Sequence, residues 1–272
     1  MYGLIWLTDL KTKLSRTDLL IMLTSALCHD LDHPGYNNVY QINAQTDLAL
    51  RYNDISPLEN HHCAVAFSII CKPDCNILKN VTSEQYKQIR AGMIKSVKKI
   101  NTLNYMARHN EILNRFRAIQ PTFDFTNKEH KEVIMVKVSD ISNEARPMSV
   151  AEPWLDCLLQ EFFNQSDTEK LRGLPVTPFM DRDKVSKPSS QTNFIRFVLL
   201  PLFTELTKLF PCLEVNRDWL LSSDRYKAVS NSTDQKTEEA AWTSSQTSSL
   251  LQLFVQLTNF TFGFYYGSDL DD

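Results

Sequence analysis

Glycine is scarce in this chain: six in 272 residues, at positions 3, 35, 92, 173, 263 and 267. None of their spacings makes a dinucleotide fingerprint or a phosphate-cradling P-loop, so any phosphate chemistry must rest on another device. Basic charge is not in excess either. Lys plus Arg total 29 against 32 Asp plus Glu, a net charge of −3, which gives no electrostatic footprint for nucleic acid. The six cysteines (28, 63, 71, 75, 157, 212) are even in number. A chain of this length needs no disulfide staples, however, and Cys71 with Cys75 is not a zinc-ribbon spacing, so most are expected to be reduced core residues. From Met1 to Leu14 there is no basic n-region and no small-residue cleavage pattern. That reads as a chain without a signal peptide, intracellular and cytoplasmic.

What is present favours helices. Hydrophobic residues make up 43% of the chain, enough for a real core. Long stretches of Leu, Ile, Met, Lys and Glu with so little glycine give an all-α class, because glycine is costly inside helices. Ser56-Pro57-Leu58-Glu59 reads as N-cap, N1 and N3 of a helix, and Thr126 with Glu129 as a second capping box ahead of Val133, Ile134, Val138 and Ile141. Thr17 precedes an apolar stripe (Leu19, Leu20, Met22, Leu23, Ala26, Leu27) that ends at His29-Asp30, before Pro34-Gly35. Ser149 with Glu152 opens a helix whose buried face holds Leu155, Leu158, Leu159, Phe162 and Phe163. Residues Arg172 to Ser190, with three prolines and the charged run Asp181-Arg182-Asp183-Lys184, read as a long loop near a site. Gln191 to Phe210 follows as a helix kinked at Pro201. The domain is expected over 1–229, a flexible Ser/Thr/Gln/Glu-rich linker over 230–249, and an apolar tail over 250–272. Gln252, Gln256, Thr258, Asn259 and Thr261 interrupt the tail, so no membrane span is expected.

His29, Asp30, Asp32 and His33 fall within five residues. Imidazole with carboxylate is the ligand set of a zinc or mixed zinc/magnesium hydrolytic centre. The plainer alternative is a helix end where His caps carbonyls, but an Asp there opposes the helix dipole at about a few tenths of a kcal/mol. Asp140 repeats the anomaly, late in an apolar helix where a carboxylate needs either a salt-bridge partner or a metal. Glu59, His61 and His62 share the first turn of their helix, with Glu59 already expected to work in the capping box. His109 and His130 show no clear partners.

The runs His29-Asp30-Leu31-Asp32-His33-Pro34-Gly35-Tyr36-Asn37-Asn38, Tyr52-Asn53-Asp54 through Glu59-Asn60-His61-His62, and Asp140-Ile141-Ser142-Asn143-Glu144, in that order, closely resemble the catalytic domain of class I 3′,5′-cyclic nucleotide phosphodiesterases. Tyr40 to Ala44, Ala151 to Trp154, Gly173 to Val176 and Pro178 to Arg182 resemble most the type-9, high-affinity cGMP-specific branch. The resemblance covers roughly residues 3 to 229 and implies a compact multi-helix domain of the His-Asp type that hydrolyses the 3′ ester of a cyclic nucleotide. It implies His29, Asp30 and Asp140 as zinc ligands, with Asp30 bridging to Mg2+, or Mn2+ in its place. The two cations would polarise the phosphate and activate water for in-line attack. His33 and Glu59 match catalytic residues that hold water at the metals. Gln191 matches the glutamine that hydrogen-bonds the purine and Phe194 the ring that stacks on it, with Asn143, Glu144, Leu158 and Phe162 in the same substrate-binding pocket. The implied partner is cGMP ahead of cAMP, with no nucleic acid, and a homodimer is allowed.

Three departures accompany the resemblance. The family's His-Asn-x-x-His segment, which carries a proton-donating histidine and a further zinc ligand, lies upstream of Met1. A chain starting there would hold zinc by three protein ligands and lose the donor to O3′, at about 10²–10⁴-fold in rate. Lys95 to Tyr105 is longer and more basic than the family's pattern, so the threonine expected beside the magnesium is absent or displaced. Phe162 stands where the type-9 branch usually has tyrosine. The alternatives are a non-catalytic phosphodiesterase-like binding or interaction module and a metal phosphohydrolase of another substrate; Gln191 with Phe194 argues against the latter.

Overall fold

The computed structural model describes residues 1–100, 105–119 and 135–222. Within them the chain is helical and has no β-strand. Two short helices, α1 (Tyr2–Leu7) and α2 (Leu10–Lys13), lead into α3 (Arg16–Cys28). Next come α4 (Asn38–Asn43), α5 (Asp47–Arg51), α6 (Pro57–Ile70), α7 (Ser83–Ile100), α8 (Tyr105–Ile119), α9 (Met135–Asp140) and α10 (Met148–Leu171). The chain then continues as α11 (Lys187–Phe194), α12 (Leu200–Leu209) and α13 (Glu214–Ser222).

Helix α3 organises the packing, because its two sides serve two cores. Met22 joins a large core with Phe116, Val138, Leu155, Leu159, Leu199, Phe203 and Leu206. Ile21, one position earlier, joins a smaller core with Phe67, Ile70, Ile89 and Met93 from α6 and α7. Gly92 allows the close approach of α7: a Cβ there would meet the Ile21 side chain at 2.7 Å. Packed on both sides, α3 delivers its C-terminal end, and with it His29, to a fixed place.

Several boundaries differ from the sequence reading. Helix α3 begins at Arg16, not after Thr17. Ser15 is the N-cap: its Oγ accepts from the Asp18 N–H at 3.1 Å while Asp18 Oδ2 accepts from the Ser15 N–H at 3.3 Å. The capping box expected at Ser56 and Glu59 is not formed. Helix α6 does start at Pro57, but Ser56 sits at φ 46 and makes no side-chain cap bond. Helix α10 starts at Met148 behind Pro147 with no side-chain cap, and Glu152 bonds Lys187 at 3.2 Å instead.

The helix expected over 191–210 starts earlier, at Lys187 with Pro188 in its first turn. It is broken by a π turn at Ile195–Leu199, which accommodates Pro201 without a simple kink. The loop after α10 is correspondingly shorter and contains a 3₁₀ turn at Pro178–Met180. Its charged run is closed on itself: the Lys170 ammonium lies 2.6 Å from Asp181 and 2.7 Å from Asp183. All six cysteines are free thiols, but only Cys63 is buried and four are exposed, against the expectation that most would be core residues. The Thr126/Glu129 box, His130, the boundary at 229, the linker 230–249 and the tail 250–272 lie outside the described residues. Among the described residues no helix is long and apolar enough to cross a membrane.

Candidate metal centre

Two helix ends meet at one point. His29 is the C-cap of α3 and Asp140 the last residue of α9, 111 residues later in the chain. With Asp30 they offer three ligand atoms that all lie within 4.8 Å of one another. The His29 Nδ1–H donates to the Ala26 carbonyl at 2.9 Å, which aims Nε2 at the acids, 3.1 Å from Asp30 Oδ2 and 3.2 Å from Asp140 Oδ1. Burial works against the imidazolium, but the bonds to Asp140 and Asp30 outweigh it and push the His29 pKa up to about 11. Two half-buried carboxylates facing one nitrogen demand positive charge, and either a proton on Nε2 or a divalent ion meets that demand. One imidazole and two carboxylates with this mutual spacing suit a hard or borderline divalent ion, so the residues fit the metal centre implied by the sequence.

The surrounding groups divide into those turned toward the cluster and those turned away. Asp32, in the left-handed region at φ 59, pairs with His61 at 2.7 Å, so its compensating partner is a histidine and not a shared cation. His62 is fully buried, and its Nδ1–H donates to the Leu31 carbonyl at 2.7 Å. Its Nε2 has no hydrogen-bond partner and lies 3.7 Å from Asp30 Oδ1. His33 Nδ1 accepts from the Gly35 N–H at 3.1 Å, and its ring stacks on His62 with centroids 5.7 Å apart. Glu59 is fully buried and held by Asn38, whose Nδ2 reaches both carboxylate oxygens at 3.0 Å. Lys137, also buried, has its pKa lowered to about 8 by burial, with Asp140 and Asp30 opposing the fall.

The residues matched to the purine pocket lie on the 3₁₀ turn Ser142–Ala145, on α10 and on α11. Glu144 is buried, and burial pushes its carboxyl up to about 7, opposed by the neighbouring Gln191 amide. Gln191 is 3% exposed, and its Nε2 and Glu144 Oε2 are both buried without a hydrogen-bond partner. Phe162 and Phe194 are half-buried against the large core, and Leu158 and Asn143 are half-buried. Phe179, on the 3₁₀ turn of the following loop, meets the Phe162 ring edge-on at 6.3 Å between centroids. Sequence reasoning missed Asn38, Lys137 and Phe179. Asn38 closes the run that carries the resemblance, and Phe179 is an aromatic between prolines and acids in a segment already read as lying near a site.

The model of the 3′5′-cyclic nucleotide phosphodiesterase family matches residues 1–220. The chain is 54% identical over 253 residues to the high affinity cGMP-specific 3′,5′-cyclic phosphodiesterase 9A of Homo sapiens, covering 91% of this chain and 42% of that protein. The protein of the same name in Drosophila melanogaster is 58% identical over 214 residues, 78% of this chain and 14% of that one. The chain thus spans less than half the length of either relative. Among solved structures, the phosphodiesterase domain of the RhoPDE fusion protein from the choanoflagellate Salpingoeca rosetta superposes with a TM-score of 0.73 at 31% identity, over 79% of this chain and 70% of that one.

Proposed function

The chain belongs to the 3′5′-cyclic nucleotide phosphodiesterase family, and from that premise we propose that it hydrolyses the 3′ ester of 3′,5′-cyclic GMP, in preference to cyclic AMP, to the 5′-monophosphate. The observation that carries this reading is the convergence of His29, Asp30 and Asp140 within 4.8 Å from two helix ends far apart in sequence. The cGMP preference is argued from the cGMP-specific phosphodiesterase 9A relatives.

His29, Asp30 and Asp140 would hold a zinc ion, with Asp30 shared with magnesium or manganese. Bound there, the cations would neutralise the phosphate's charge and activate the attacking water. The chain's own part is orientation. The Ala26 carbonyl fixes the His29 tautomer so that the Nε2 lone pair faces the acids. Glu59 and His62, one turn apart on α6 and both fully buried, lie on the Asp30 side of the cluster, with His62 Nε2 3.7 Å from Asp30 Oδ1. Gln191 offers a buried amide beside Glu144 that a purine edge can engage, and Phe194 and Phe162 offer rings for stacking.

The test is metal content with cGMP and cAMP turnover, compared between the wild type and Asp140→Ala. The expected result is stoichiometric divalent metal, faster cGMP than cAMP hydrolysis, and loss of both metal and turnover in the variant. Turnover indifferent to Asp140→Ala rejects the site, and cGMP binding without turnover favours the non-catalytic module.

A further inference from the structure

Helix α6 carries Glu59 in its first turn, yet its own N-cap residue offers that turn no side-chain bond. Asn53, Asp54 and Ser56 all adopt left-handed φ (53, 61 and 46), and Ser56 makes no side-chain cap bond. An uncapped, buried helix start leaves backbone N–H groups unpaired, which is costly. The missing cap comes from another helix. Asn38, the first residue of α4 and 5% exposed, accepts the Leu58 N–H on its Oδ1 at 3.0 Å. The Nδ2 of the same amide donates to Glu59 Oε1 and Oε2, at 3.0 Å each. Its backbone is anchored in turn, because the neighbouring Asn37 N–H donates to Gln165 of α10 at 2.8 Å.

We propose that Asn38 is a positioning residue for the metal centre: by capping α6 and gripping both Glu59 oxygens, it sets the carboxylate's orientation beside Asp30. An amide suits the task chemically. It has an acceptor for the N–H and a two-hydrogen donor for the carboxylate, and it brings no charge of its own to compete for a cation. With one edge of the carboxylate occupied by Asn38, the remaining lone pairs of Glu59 are the ones left to serve the cluster. The hydrogen bonds of the Asn38 side chain go to Leu58 and Glu59, so its effect is transmitted through Glu59. The inference rests on the metal-centre reading given above.

Asn38→Asp tests it in the full chain, because the aspartate keeps an acceptor for Leu58 but turns the donor toward Glu59 into a second acceptor. The probe is Mn2+ alone, followed by electron paramagnetic resonance, alongside the thermal unfolding midpoint. Asn38→Asp is expected to weaken Mn2+ binding by about 10- to 100-fold and to lower the midpoint. In the exchange variant Asn38→Asp/Glu59→Gln, an amide at 59 donates to a carboxylate at 38, so the midpoint should recover while Mn2+ binding stays weak. Wild-type Mn2+ affinity in Asn38→Asp overturns the inference. So does an exchange variant no more stable than Asn38→Asp; if Asn38→Asp does not fold, recovery of folding in the exchange variant is the deciding result. A wild-type chain that binds no Mn2+ overturns the metal-centre reading itself, and this inference with it.

Discussion

Two stretches of the chain are dense in charge, and the structure treats them in opposite ways. At 181–184 every acid is matched to a cation whose charge the match reinforces. Bonds to Asp181 and Asp183 push the Lys170 pKa up to about 12, and Lys170 in turn holds Asp181 down at about 2. At 29–33 the matching cation is an imidazole, whose Nε2 can hold either a proton or a metal ion. Asp30 shares one imidazole with Asp140, and the nearby Lys137 is brought down to about 8 by burial. The first arrangement is complete with protein groups and fastens a loop to α10. The second sets two carboxylates on one imidazole nitrogen, a position that a proton or a divalent ion can fill.

The largest effect expected to break this contrast is at Asp30. Asp30→Asn keeps the shape and removes one of the two charges, so divalent binding should fall by at least about 100-fold, whereas Asp183→Asn should leave metal content unchanged. Equal metal loss in both variants would erase the distinction between the two stretches.

Glu144 extends the comparison to an acid controlled by burial and not by a charged partner. Its folded pKa of about 7 lies above the ordinary 4.5, so its contribution to stability is complete below pH 4.5 and is lost as pH rises through 7. The full swing is about 3 kcal/mol at most. The wild-type unfolding midpoint should therefore fall relative to Glu144→Gln between pH 5 and 8. A gap between the two that stays constant over that range would show that Glu144 is not forced to carry a proton.

The sequence made the cluster legible because its anomaly is local: acids at 29–33 and at 140 lie where helix ends disfavour them, and a chain can be searched for that. Asn38 left no comparable trace. Its value comes from meeting Leu58 and Glu59 across two elements, which no spacing rule encodes. The capping boxes show the same limit from the other side. Ser15 with Asp18 and Ser56 with Glu59 are equivalent as patterns, yet only the first forms. The second is pre-empted by a turn with three left-handed residues and by a cap supplied from α4. Tertiary contacts also explain the π turn before Pro201. Leu199 and Leu202 are both buried in the large core, so the helix keeps its direction and absorbs the proline by widening instead of breaking.

The smallest expected effect tests the closed stretch on its own terms. Asp181 is 3% exposed, and its folded pKa, held near 2 by Lys170, lies below the ordinary 3.8. A depressed carboxylate pKa contributes stability that is present above 3.8 and lost as pH falls through 2. Asp181→Asn should therefore lower the unfolding midpoint by a few degrees at pH 7, with the deficit shrinking below pH 4 and closing near pH 2. Lys170 is partly exposed and Asp183 still pairs with it at 2.7 Å, which keeps the effect modest. The loop's second anchor, the Thr177 N–H donating to the buried Glu169 carboxylate at 3.1 Å, persists in the variant. Metal content and cGMP turnover should accordingly stay at wild-type values. A deficit that persists at pH 2 would mean that Asp181 acts through packing and not through its charge.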